Sequence, residues 1–215
     1  LHLFTHCTTC ITRRQKLKTK IKYMSTLTSS TERQRIHPQK FLMWAAIGSI
    51  VMMFAGLTSA YIVKKNQGNW LVIELPVMFW YSTGVILASS ITMWLASAAI
   101  KAGKTINYKL FITLTSILGI VFVSLQWDGF KDLELRGFAL IGPQSNSASS
   151  FLFIITGLHM LHVLGGVVAL CILFFRAIFI KSSETNIVPV QIVATYWHFV
   201  DILWIYLFIF YNLIA

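Results

Sequence analysis

Apolar residues in this chain run in long blocks separated by short polar connections. Five stretches hold roughly 20 apolar residues each, enough to cross a ~30 Å hydrocarbon core as helices. They cover about residues 41–63, 76–100, 108–127, 149–175 and 190–214. The pattern predicts an all-α, polytopic transmembrane helix bundle of five spans, with the membrane domain over 41–215 and a basic segment over 1–40. The spans use most of the chain, so no room is left for a separate soluble catalytic domain.

His37-Pro38 opens the first span, and proline fits the first turn of a helix because its missing N–H would be unpaired there anyway. Gly48, Ser49, Ala55, Gly56, Ser59 and Ala60 predict a small-residue packing face, of the kind that lets helices approach closely in lipid. The second span carries Ser82, Thr83, Ser89, Ser90 and Thr92, whose hydroxyls are expected to bond back to their own helix carbonyls. The third ends at Gln126-Trp127. The one long connection is expected at residues 128–148.

Composition supports this reading. Hydrophobic residues make up 56% of the 215 positions and charged ones 12%, against about 25% charged in a typical soluble domain. The net charge of +11 raises nucleic acid as a partner, but its distribution excludes that. Half of the Lys and Arg precede the first span, and the rest lie in short connections. Lys and Arg in short flanking loops orient spans with the positive side inside. The N-terminus is therefore expected inside, with Lys101, Lys104, Lys109, Arg176 and Lys181. Lys64, Lys65, Lys131 and Arg136 fall outside among Glu74, Asp128, Asp132 and Glu134, and the C-terminus is expected outside.

Residues 1–23 differ from the rest. They are basic and Thr-rich, without an acid, and are expected to be disordered. A transit peptide has such a composition. The polar lead MSTLTSSTERQRIHPQK, directly before the first span, favours Met24 as the native start. Cys7 and Cys10 form a CxxC near His2 and His6, a spacing known in zinc sites, but the tract offers no fold to hold one. Cys171 is expected to be a packing residue.

Two clusters carry candidate chemistry. The fourth span reads TGLHMLHV, with Thr156, Gly157, His159 and His162. The fifth reads YWHFVDILW, with Tyr196, Trp197, His198, Asp201 and Trp204. His159 and His162 share a helix face by their spacing of three, as do His198 and Asp201. Asp201 is the only carboxylate within any predicted span. Placing Asp at a helix centre costs roughly 2.5–3.5 kcal/mol, so a partner is expected. Asp201 lies about 16 Å in from one end of its span, a level that His162 of an antiparallel neighbour can reach. The plainest reading is a polar cluster of His159, His162, His198 and Asp201 that holds helices together, with Asp201 bonded to His162 or His198. Haem ligation by these histidines and a proton relay through Asp201 stay open beside it. A transporter site would show broken helices and paired repeats, and neither is visible.

The combination TGxHxxHV and YWHFVDxxW resembles the last part of subunit III of haem-copper respiratory oxidases. Thr156, Gly157, His159, His162 and Val163 match its first half. Tyr196, Trp197, His198, Phe199, Val200, Asp201 and Trp204 match its second. Weaker likenesses run through Ser82-Thr83, residues 87–90, residues 110–113 and Gln126. The resemblance implies a subunit that carries no haem or copper, with no catalytic, cofactor or metal residue of its own. It implies packing against subunits I and II, bound phospholipid, and support of proton uptake in a complex that reduces oxygen. The resemblance also covers quinol oxidases and nitric oxide reductases, and a self-contained membrane b-type cytochrome is the reading from another class. Mitochondrial-type members have seven spans, and this chain has five, a form found in bacterial oxidases. A bacterial inner membrane is therefore expected, with the mitochondrial inner membrane as the alternative. Those members also carry a buried glutamate in the helix matching span one, where this chain has Ser49 and Ile50.

Overall fold

The computed structural model describes residues 38–66, 75–138, 147–179 and 187–214. Residues 1–37, with Met24, Cys7 and Cys10, lie outside the described residues. By internal contacts the chain divides into Leu1–Leu42 and Met43–Ala215. The described part of the first unit is the opening turn of a helix.

Among the described residues there are five helices: α1 Pro38–Lys65, α2 Val77–Lys101, α3 Thr105–Leu135, α4 Ser147–Phe179 and α5 Ile187–Ile214. All five are long and apolar enough to cross a membrane, and no strand occurs among the described residues. The all-α bundle of five spans read from the sequence is the architecture observed. Within Met43–Ala215, α2 packs on α3, α3 on α4, α4 on α5, and α5 back on α2, so four helices close a ring.

The α2–α3 connection shows why the chain turns there. Gly103 takes φ +70°, which a residue with a Cβ enters only at a cost. Its N–H donates to Ile100 O at 3.1 Å and the Lys104 N–H donates to Ala99 O at 3.0 Å. These bonds satisfy carbonyls that the end of α2 leaves unpaired. Gly137, at φ +86°, closes α3 in the same way.

Helix α3 differs from expectation. The loop expected over 128–148 is helical to Leu135. Charged residues end the hydrophobic stretch but do not break the helix. Asp132 pairs with Arg136 at 2.8 Å, four residues on, while Gly129 and Leu133 remain buried on the inner face. The added two turns thus carry an apolar stripe with charges opposite it.

Helix α1 differs too. Its small residues do not form the packing face. Nothing lies within 4 Å of a Cβ built at Gly48 or Gly56. The buried side is Ile47, Phe54, Thr58 and Tyr61. The Phe54 ring meets His162 of α4 edge-on at 5.9 Å. Tyr61 packs edge-on against Phe151 of α4 and Phe210 and Tyr211 of α5. Large aromatic rings bury more area here than a close backbone approach would. Lys65 donates its Nζ to the carbonyl of Ile214 at the end of α5, where a cation suits the helix dipole.

Candidate functional site

The YWHFVDILW segment of α5 supplies the centre of the ring. Trp197, Asp201 and Trp204 follow at spacings of four and three, which puts them on one helix face, and all three are buried. The Trp197 indole donates to Ser89 Oγ of α2 at 3.0 Å. Its ring is held between Gly119 of α3 and Gly166 of α4, where a Cβ on either glycine would meet a ring carbon at 3.0 Å. Two turns along, Trp204 donates to Thr83 Oγ1 of α2 at 3.0 Å. Its ring meets Phe79 of α2 and Phe122 of α3 edge-on at 5.6 and 5.7 Å. It stacks on His159 of α4 with centroids 5.2 Å apart. Each tryptophan therefore touches all three of the other ring helices at one level.

The hydroxyls of α2 do more than the sequence led us to expect. Ser82, Thr83 and Thr92 bond to carbonyls of their own helix. Ser89 and Thr83 also accept from the two indoles, and Thr92 Oγ1 meets Thr115 Oγ1 of α3 at 2.9 Å. Gln126 donates from Nε2 to Ser82 Oγ at 3.3 Å. Thr156 donates to the Tyr211 hydroxyl at 3.4 Å. Gly157 lies in open space.

The histidines and Asp201 do not bond to one another as expected. His162 Nδ1 lies 2.7 Å from the carbonyl of Leu158, one turn back. A carbonyl only accepts, so this nitrogen carries the proton. The Tyr196 hydroxyl donates to the His162 carbonyl at 3.0 Å. His198 Nδ1 lies 2.7 Å from Ser90 Oγ. His159 is buried against Trp204 and Phe122, and neither ring nitrogen has a hydrogen-bond partner among the described residues. The same holds for both carboxyl oxygens of Asp201. Ser90 lies toward that carboxyl, but short of a hydrogen bond of normal geometry. The physical reason is local: His162 bonds the carbonyl one turn back on its own helix, and His198 bonds the Ser90 hydroxyl.

Among the described residues, no three or more His, Cys, Asp or Glu side chains are placed to share a metal ion. Cys171 is a free, half-buried thiol. What this geometry provides is a set of interhelical locks centred on α5. Residues 71–214, which include all of α5, match the family model described as cytochrome c oxidase subunit III.

The chain belongs to that family.

A protein of Nocardia farcinica described as probable cytochrome c oxidase subunit 3 is 32% identical over 191 residues, covering 81% of this chain and 90% of its own. A likewise described protein of Mycobacterium tuberculosis is 32% identical over 190 residues, with the same coverage. Cytochrome c oxidase subunit 3 of Corynebacterium diphtheriae is 30% identical over 178 residues, covering 76% of this chain and 85% of its own. As a member of the subunit III family, the chain is a component of an oxidase complex, and its matched region holds both tryptophan locks.

Two parts of the site, the contact glycines and the indole-bonding hydroxyls, were missed in the sequence. Gly119, Gly129 and Gly166 are contact glycines; a Cβ on Gly129 would lie 2.6 Å from Phe79 Cε1. Helical spacing cannot say which glycine faces a ring on another helix. Ser89 and Ser90 were expected to bond their own helix and instead meet α5, while Thr83 bonds its own helix as expected and also accepts from Trp204. The indole N–H groups of Trp197 and Trp204 were the available signal, since a buried indole N–H needs an acceptor.

Proposed function

We propose that this chain is the non-redox subunit III of a proton-pumping haem-copper terminal oxidase in aerobic respiratory electron transport. In this reading haem and copper sit on partner subunits, this chain has no catalytic centre, and subunits I and II are its neighbours. It supports the stability of subunit I and its proton uptake, and it holds phospholipid. The membrane is the bacterial inner membrane, with residues 1–40 and the N-terminus inside. The single observation that carries the reading is the family match across the segment that builds the tryptophan locks. The buried polar groups support a packing role. His159 stands against Trp204 and Phe122, whereas His198 lines the groove on the α2–α5 side. Those separate settings of His159 and His198 support packing over joint haem ligation.

The test compares the oxidase complex with and without this chain. Oxygen consumption should begin at a similar rate in both and decay faster during turnover in the depleted complex. Equal decay would contradict the supporting role.

A further inference from the structure

Ser90 of α2 and His198 of α5 form a polar pair on the outside of the bundle. Ser90 Oγ lies 2.7 Å from His198 Nδ1. Both side chains are half-buried. With Ile91, Trp94 and Ile202 they line a groove of about 520 Å³. Those three apolar side chains are exposed on its rim. No described residue bonds the second ring nitrogen of His198, Nε2.

Depth decides what can meet that nitrogen. His198 lies about 16 Å from the Ile187 end of α5 and about 24 Å from the Ile214 end. Ser90 lies about 20 Å and about 16 Å from the two ends of α2. Both are therefore on the order of 10 Å or more inside a ~30 Å hydrocarbon core. Phospholipid headgroups stay at its boundary, and acyl tails offer no hydrogen bond. An imidazole N–H or lone pair left unmet in hydrocarbon costs free energy. Polar side chains reaching across helices are the usual remedy inside membranes.

We infer that the Ser90–His198 groove is the face on which a transmembrane helix of another oxidase subunit docks, presenting a hydrogen-bonding side chain to His198 at mid-membrane. The inference rests on the subunit III reading, because it needs a membrane-spanning partner in the same complex. Ile91, Trp94 and Ile202 supply the apolar flank, and His198 supplies the register. One polar contact in an apolar groove fixes the depth at which two helices meet.

The experiment uses the assembled complex. A photoreactive benzophenone side chain replaces Trp94 or Ile202, and as a control Ile120, which is exposed on α3. All three positions are exposed, so the replacements leave the core intact. Illumination should join Trp94 and Ile202 positions, several-fold more than Ile120, to a membrane-spanning subunit of the haem-bearing complex. Peptide mass spectrometry identifies that partner. His198→Leu should lower retention of the chain in the complex about threefold, the equivalent of one interhelical hydrogen bond of ~0.6 kcal/mol, and His198→Gln should restore it. A haem-bearing complex that forms normally but cross-links from Ile120, or to lipid, quinone or a second copy of this chain, overturns the docking face alone. A chain that assembles with no haem-bearing subunit removes the family-based reading, and this inference with it.

Discussion

Trp197 of α5 and Gly166 of α4 approach so closely that a Cβ on the glycine would lie 3.0 Å from the indole Cε3. The same ring presses on Gly119 of α3 and bonds Ser89 of α2. A single side chain thus fixes the spacing of four helices.

Gly166→Val should therefore loosen the subunit by roughly 1–3 kcal/mol through overpacking. Trp197→Ala should cost more, roughly 3–5 kcal/mol, by emptying the centre. Thermal unfolding of the detergent-solubilised chain measures both. A Gly166→Val variant as stable as the parent would show that the ring has room to move.

The Trp204–Thr83 bond is expected to be worth far less than the ring that carries it. Trp204→Phe and Thr83→Val should each cost roughly 0.5–1.5 kcal/mol from the lost hydrogen bond. A double-mutant cycle should give a coupling near 0.6 kcal/mol, the average for membrane proteins. Strict additivity would mean that the two groups do not interact.

Asp201 makes no ion pair among the described residues. Removing one partner of a buried ion pair costs roughly 3–5 kcal/mol, and that loss is not expected here. Asp201→Asn should keep the chain in the complex through detergent washing, at a cost below about 1 kcal/mol. Loss of the chain after this mild change would reveal a cationic partner on another subunit.

At Gly103, φ is +70° and a Cβ would meet nothing within 4 Å. Gly103→Ala should consequently destabilise the α2–α3 turn by roughly 1–2 kcal/mol through the backbone alone. The melting temperature of the purified chain checks it. An unchanged value would place the turn outside the cooperative unit.

Much of the fold was legible in the sequence, because the length of an apolar run reports a membrane span directly. The five spans emerge on that basis. The end of α3 was not legible, because Asp128, Lys131 and Asp132 look like a loop in a hydropathy reading although their spacing suits a helix. The face of α1 was misread, since small residues mark a close approach only when another helix is there. At the site, Trp197 and Trp204 were visible as motif residues, but their roles depend on Gly119, Gly166, Ser89 and Thr83 on other helices. Asp201 illustrates the limit: its depth showed that His162 was within reach, and local geometry gave His162 to the Leu158 carbonyl instead.

The central claim is that this chain is an oxidase subunit with no redox centre of its own. The most direct measurement is the visible spectrum of the tagged chain, purified first with its native complex and then alone. The account predicts a haem Soret band in the complex, carried by a separate polypeptide, and a colourless isolated chain. A Soret band that stays with the isolated chain, and that disappears in His198→Ala, would contradict it.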